Sequence, residues 1–302
     1  MYKNVKPIFF KALSGIHAGS GADLGLVDMP IQRERHSGLP KIESSSVKGC
    51  IREEFEQTDG LPADFVKAAF GPDSGKYAGS IAFTDARLLL FPVRSAKGVF
   101  AYATCPYILK RLAEDFALAG IVLDLAPDIG KDGKAQVSSD QLLVGESGKA
   151  LLEEYTIEAE QTGYAQKLAE NIAAWLKLED PKYVQENLII LADDDLRDFA
   201  QNNTEIISRS RIDSKTGTVL EGKFFTEESL PAETVMYSLV MTSAIFMSEA
   251  ARQASATVIA AGAGADEGKY LLDTIAARLP RYIQLGGDAT IGKGLCRISL
   301  GV

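Results

Sequence analysis

Apolar residues return along this chain in two rhythms, and each rhythm marks a kind of element. Ile108, Leu112 and Phe116 recur every four positions within residues 106–119 and so share one side of a predicted helix. Tyr164, Leu168, Ile172 and Leu176 predict another amphipathic helix ending near 177. Leu272, Ile275, Ala276 and Leu279 predict a third over 267–279. Shorter helices are expected over 46–57, over 63–70 where Gly71 and Pro72 stop the chain, over 193–199 behind a capping Asp193, and over 248–260. Strand character falls on residues 7–13, at both ends of 79–93, and on 188–191, 281–285 and 295–300. A long strand over 233–246 puts Val235, Tyr237, Leu239 and Met241 on one face.

Residues 205–211 and 218–225 flank the turn sequence Asp213-Ser214-Lys215-Thr216-Gly217, a hairpin signal. Arginines on one arm and Phe224 and Phe225 on the other suit a finger that touches nucleic acid by charge and stacking. An ordinary surface hairpin with its phenylalanines in the core has the same pattern, and pattern alone favours that reading. Strands and helices mix without a fixed repeat, so the expectation is one composite α+β domain over 1–302. Its insertion lies at about 120–185, with a polar, glycine-punctuated and mobile stretch at 127–148.

Composition narrows the function classes. The chain has 302 residues, 46% of them hydrophobic and 24% charged, ordinary values for a globular protein. No apolar run approaches the roughly 18 residues that span a bilayer, and the start MYKNVKPIFF lacks the order of a signal peptide, so a cytoplasmic protein with no membrane partner is expected. Cys50, Cys105 and Cys296 are scattered and offer no zinc cage. A net charge of -9 argues against a surface that binds nucleic acid everywhere. Fields are local on the scale of a Debye length of roughly 8–10 Å, so basic residues gathered in one groove could still bind it.

The segment 15–52 holds both histidines, four early glycines and a run of charged residues between a strand and a helix. A connection of that length is functional or disordered. Within it Asp28, beside Pro30, could hold a divalent metal near a phosphodiester or orient a hydroxyl, although an aspartate there is also a common turn former. His17 could act as an acid, a base or a phosphate donor, or simply pack the loop; His36 reads as a turn residue. Ser44, Ser45 and Ser46 are good helix caps, and Lys48 in the first turn behind them would sit beside free N–H groups that attract phosphate. Arg33 and Arg35 could contact phosphates or be solvated. Near the end of the chain, residues 286–294 let backbone N–H groups approach phosphates, with Lys293 supplying charge. Walker, Rossmann, GxSxG and HExxH patterns are absent.

The ordered strings HAGSGADLG (17–25), VDMPIQRERHSG (27–38) and SSxKG (45–49) resemble the backbone subunits of the Cmr (type III-B) CRISPR RNA-guided effector complexes, a branch of the RAMP superfamily. Residues 84–112, SRSRIDSKTGTV (208–219), LPAETVMYS (230–238) and LGGDATIGKGL (285–295) extend the resemblance over nearly the whole chain. It implies a modified RRM-like (ferredoxin-like) palm with helical insertions and a β-hairpin thumb at about 200–226. It implies copies stacked along a guide RNA beside other Cmr subunits, and target RNA cut at regular intervals with Mg or Mn. Asp28 is then the cleaving, metal-binding aspartate, with His17 and Glu227 or Glu228 in support. Ser45, Ser46, Lys48 and Arg52 grip the guide, joined by Arg33, Arg35, Arg211 and Lys293. The same likeness also fits a purely structural filament subunit that binds guide RNA without cutting.

Overall fold

The first strand, β1 (Asn4–Ala12), is apolar on both faces rather than alternating: Ile8, Phe9 and Phe10 are all fully buried. That pattern belongs to a strand covered by helices above and below. The computed structural model describes residues 2–22, 25–62, 64–123, 125, 133–145, 148–247 and 266–301, with the backbone alone at 221–223. The helix expected over 248–260 lies outside these residues.

After β1 come β2 (Lys41–Ile42), helices α1 (Ser44–Glu56) and α2 (Phe65–Phe70), strands β3 (Ile81–Phe83), β4 (Ala86–Arg94) and β5 (Phe100–Thr104), and helix α3 (Pro106–Leu118). The next part supplies β6 (Ala135–Val137), β7 (Lys149–Leu152), β8 (Tyr155–Gln161), α4 (Gly163–Trp175), α5 (Lys182–Glu186), β9 (Leu188–Ile190) and α6 (Asp193–Asn202). The chain then forms β10 (Glu205–Ile212), β11 (Val219–Ser229), β12 (Val235–Thr242), α7 (Glu267–Arg278), β13 (Tyr282–Gln284) and β14 (Leu295–Leu300). The α+β expectation holds. Most strands join one 12-stranded mixed sheet whose main path runs β13-β14-β1-β12-β4-β5-β9-β6-β8-β7. From β14 to β5 every pairing is antiparallel; β5 with β9 and β6 with β8 are parallel.

On one face Phe9 stacks on Trp175 of α4 at 5.9 Å and meets Phe116 of α3 edge-on at 6.1 Å. The other face is covered by α1, α2 and α7, where Phe55, Phe65 and Phe70 cluster and Phe65 meets Tyr270. Strand β12 keeps Val235, Tyr237, Leu239 and Met241 on one face as expected, buries Val235 to Val240 on both faces, and is shorter than the expected 233–246. The insertion is no simple mobile loop: its described part adds β6 to the sheet, and β7 with β8 makes an edge hairpin that the acidic sequence there did not announce.

Strands β10 and β11 stand apart as their own two-stranded sheet. Phe224 is 65% exposed, and Ile206, Ile212 and Val219 are exposed with it, so the reading that puts the hairpin's phenylalanines in the core is overturned at Phe224. At its base β11 turns into a rail for the long loop after β1. Ile16 pairs with Leu230, and Met29 pairs in parallel with Glu227. Glu228, 6% exposed, clamps the loop further: it accepts from Ile31 N at 2.9 Å, from Arg33 at 2.5 Å and from Thr204 Oγ1 at 2.7 Å. Burial alone would raise the Glu228 pKa, but the Ile31 N–H, Thr204 and Arg33 together hold it below the usual glutamate value.

A group depressed in the folded state contributes stability above its unfolded pKa and loses it as pH falls through the folded one. Glu228→Gln is therefore expected to destabilise the protein by about 1–3 kcal/mol at pH 7. The gap to wild type should narrow as pH falls below about 4.5, the model-peptide glutamate value. Urea unfolding across pH 3–7 measures both, and a gap independent of pH would contradict the clamp.

Candidate functional site

The loop between β1 and α1 is laced to itself and to β11 at every leg. Gly19 pairs with Ile31, and Arg33 pairs with Pro40. Gln32 ties three pieces together: its N donates to Ala18 O, its side-chain amide donates to Gly19 O, and its side-chain oxygen accepts from Glu43 N at the start of α1. Asp23 lies outside the described residues.

Asp28 sits exposed on this frame. Its Oδ2 accepts from Thr226 N at 2.7 Å and from Thr226 Oγ1 at 2.8 Å, while its own N donates to Thr226 Oγ1 at 3.0 Å. The backbone bond from Thr226, then the hydroxyl bond, hold the Asp28 carboxyl below its ordinary pKa, so it is a carboxylate at neutral pH. Hydrogen bonds converge on Oδ2, and among the described residues Oδ1 accepts none. An ionised, oriented carboxylate facing solvent can accept a proton, orient a hydroxyl or ligate a cation.

Successive residues of β11 point to opposite faces. Thr226 and Glu228 hold the Asp28 loop, so Glu227 faces the other way, 3% exposed. Arg209 bridges it to Asp288: Nε lies 2.7 Å from Glu227 Oε2, and the guanidinium donates to Asp288 Oδ2 at 2.9 Å. Burial, and then Asp288, push the Glu227 pKa up against the pull of His17 and Arg209. His17 is 6% exposed, with Nδ1 2.7 Å from Glu228 O and 3.9 Å from Glu227 Oε1. A carbonyl partner requires a proton on Nδ1. His17 and Glu227 thus belong together in a buried cluster, on the face of β11 away from Asp28.

The glycine loop 286–294 closes over this cluster. Gly287 N donates to His17 O and Gly294 N to Gly15 O. Gly286, at φ 87°, lies so close to His17 O that a Cβ there would collide. The N–H groups of Gly287 and Gly294 are therefore used inside the protein, which corrects the phosphate-approach reading at those two glycines. Lys293 faces Glu205 at 3.7 Å.

The start of α1 also differs from expectation. Glu43, whose side chain makes no capping bond and pairs with Lys41 instead, is the N-cap, and Ser44, Ser45 and Ser46 form the first turn. The Ser44 N–H is capped from outside, by Asp85 Oδ1 at 2.9 Å. Asp85 also pairs with Lys41 at 3.0 Å. Most nearby cations have acid partners: Arg52 bonds Glu56 and Asp73, Arg87 bonds Asp115 of α3 at 2.6 Å, and Arg33 bonds Glu228 together with the Gly38 and Ala200 carbonyls. Arg87 therefore faces the α3 side of the sheet and does not join Lys48 and Arg52 in one groove. Arg33 is a strut from the loop to α6, held too firmly to be a free phosphate contact.

Lys48 is the exception. Half-buried, it donates to Ile81 O at 3.0 Å and has no carboxylate partner among the described residues. Burial, and then the neighbouring Arg52, lower its pKa. Ser45, Arg35 and Arg211 are exposed. Arg209, one of the arm's arginines expected to touch nucleic acid, is instead taken up by Glu227 and Asp288, while Thr226 and Asp85 had no chemical signal in the sequence beyond ordinary strand and turn usage.

Among the described residues no group of three or more His, Cys, Asp or Glu side chains is arranged to hold a metal ion. Asp28 Oδ1 fits a single ligand position, suited to an ion such as Mg²⁺ that keeps its waters and takes substrate phosphate oxygens. A resident, fully protein-held ion does not fit.

With this geometry in hand, comparison with known proteins is direct. The RAMP superfamily matches residues 9–297. The CRISPR system Cmr endoribonuclease Cmr4 of Pyrococcus furiosus is 34% identical over 293 residues, 95% of this chain and 92% of that protein. A crystal structure of oligomeric Cmr4 from Pyrococcus furiosus superposes with TM-score 0.70 at 28% identity, covering 98% of this chain and 97% of the other. A cryo-EM structure of a Type III-B Cmr-beta complex bound to cognate target RNA contains a chain of the same fold, with TM-score 0.73 at 23% identity over 99% of this chain and 98% of that one. A match this long, at that identity, leaves one assignment: the chain belongs to the RAMP superfamily, in the family of Cmr4.

Proposed function

We propose that this protein is the guide-RNA-binding backbone subunit of a type III-B CRISPR effector complex, and that it cuts complementary target RNA at Asp28. The observation that carries this reading is the Asp28 carboxylate, ionised, exposed and fixed to the root of a projecting hairpin in a chain 34% identical to a Cmr endoribonuclease. One composite domain serves both tasks. The strand order β14-β1-β12-β4, with α1 after β1 and α7 after β12, is the order expected of an RRM-like palm. The separate β10-β11 sheet is its thumb, with exposed Phe224 available for stacking on bases. Copies of the chain line up along the guide in the cytoplasm together with the other Cmr subunits.

Lys48 supplies the main argument for the guide side. A half-buried ammonium without a carboxylate, beside Arg52 and the first turn of α1, is stabilised by an incoming phosphate. Ser45, Ser46 and Arg52 complete that contact, and Arg35, Arg211 and Lys293 are secondary ones. On the target side, Asp28 orients the 2′-OH of the nucleotide at the cut and takes its proton. The 2′ oxygen attacks the adjacent phosphorus to give a 2′,3′-cyclic phosphate, and the bond to the 5′ oxygen breaks, that oxygen taking a proton from water to leave as a 5′ hydroxyl. Asp28 would help hold a divalent ion, Mg or Mn, which would supply positive charge at the phosphate. His17 and Glu227 act on the scaffold beneath this site.

Asp28→Ala in the assembled complex is expected to reduce cleavage of labelled complementary RNA by at least about 100-fold while guide binding and assembly persist. Normal cutting by that variant would leave the alternative, a filament subunit without catalysis. A target with a single 2′-deoxy nucleotide at the cut position should resist cleavage at that position alone, and cutting there at the RNA rate would refute attack by the 2′ oxygen. Lys48→Ala should weaken guide binding for every guide sequence and lower the salt slope, log K against log salt, by about one. An unchanged slope would remove Lys48 from the interface.

A further inference from the structure

Among the described residues, the bonds that reach the Asp28 carboxylate from another element come from the hairpin arm β11, and both are made by Thr226. Its N–H and its hydroxyl both donate to Asp28 Oδ2, and the same hydroxyl accepts from Asp28 N. Met29 N donates to Thr226 O at 3.0 Å, so Asp28 is held against this strand by backbone as well as side chain. A hydroxyl can donate once and accept at its lone pairs, so threonine or serine can close this ring of bonds and valine or alanine cannot. Two donors on one carboxylate oxygen fix the rotation of the group and leave Oδ1 turned away from the strand.

We propose that Thr226 is a positioning residue for the reaction: its hydroxyl locks the Asp28 carboxylate in the orientation that presents Oδ1 to the target RNA. The lock also links the hairpin to the reacting group. Thr226 lies opposite Ser208 in the β10-β11 ladder, and the pairing keeps one register from Phe224 to Ser229. The orientation of Asp28 is therefore tied to the seating of the arm that carries Phe224. Glu228, on the same face as Thr226, fixes the next part of the loop at Ile31, so the two side chains grip it on either side of Pro30. The inference rests on Asp28 being the cleaving residue.

The test uses complexes reconstituted with guide RNA and labelled complementary RNA at saturating concentration. Thr226→Val keeps the size and β-branching of the side chain and removes the hydroxyl. It is expected to slow single-turnover cleavage about 10- to 100-fold, the scale of a misplaced reacting group, with target affinity and assembly unchanged. Thr226→Ser, which keeps the bonding pattern, should cut within about fivefold of wild type, losing only some rotamer restriction. Thr226→Ala, which relieves any crowding by the valine methyl groups, should be as slow as Thr226→Val. Adding Thr226→Val to Asp28→Ala should slow cleavage no further, because the residue acts through Asp28.

Wild-type rates in an assembled Thr226→Val or Thr226→Ala complex would overturn the inference, as would a serine variant as slow as valine. Failure of both Val and Ala complexes to assemble would also overturn it, by making Thr226 a folding residue. If Asp28→Ala itself cut normally, the assignment of Asp28 would fall. If Asp28→Ala were inactive and Thr226→Val fully active, only the positioning role would fall.

Discussion

The orientation of Asp28 hangs on the pairing of one loop with one strand. Residues 28–33 lie along the base of β11, and two side chains on the same face of that strand, Thr226 and Glu228, grip the loop through Asp28, Ile31 and Arg33. Without that grip Asp28 would be an aspartate on a long glycine-rich connection, free to point anywhere. With it, the carboxylate has a fixed direction and a depressed pKa while remaining exposed. The opposite face of the strand supports the grip from below. Glu227, His17, Arg209 and Asp288 form a buried network that pins the root of the hairpin to the glycine loop after β13. A buried network of this kind fixes a unique arrangement only when each charge has a partner.

The charge distribution explains how an acidic protein can bind RNA. A net charge of -9 does not mean repulsion everywhere, because fields are local; near the site most cations are neutralised by acids, so attraction rests on the few that are not. The cation that stands out is Lys48, bonded to a carbonyl instead of a carboxylate. Its environment is costly until an anion arrives, which is a form of preorganisation. The expectation of a broad basic groove was too generous. Arg33 and Arg87 are held by acids away from it, Arg52 reaches a phosphate only in exchange for its bonds to Glu56 and Asp73, and the surface that remains is narrow.

The sequence made the elements legible where burial was one-sided or turn chemistry was explicit. The period-four helices α3, α4 and α7 and the hairpin β10-β11 fall within a few residues of expectation. It placed β1 and β12 as well, but not their burial, since both faces of the sheet are covered there. Asp28 and Lys48 could be picked out because their motifs are distinctive. The roles of their neighbours could not. Whether His17 faces a substrate or a carbonyl, and whether Glu227 or Glu228 stands near Asp28, depends on strand register, and a shift of one residue reverses the answer. Thr226 left no trace because a threonine in a strand needs no special reason. The serines before Lys48 looked like caps, yet the N-cap is Glu43, and the carboxylate on the first N–H comes from Asp85, some forty residues away.

The central claim is that one oriented carboxylate on the thumb's root cuts the target. Its most direct test is Asp28→Asn, which keeps the shape of the side chain and removes the charge. Wild-type and variant complexes carrying the same guide are incubated with end-labelled complementary RNA and Mg²⁺, and the fragment lengths are read on a sequencing gel. Regularly spaced fragments from wild type, and full-length target still bound by the variant, are the predicted result. The same ladder from both complexes would contradict the account.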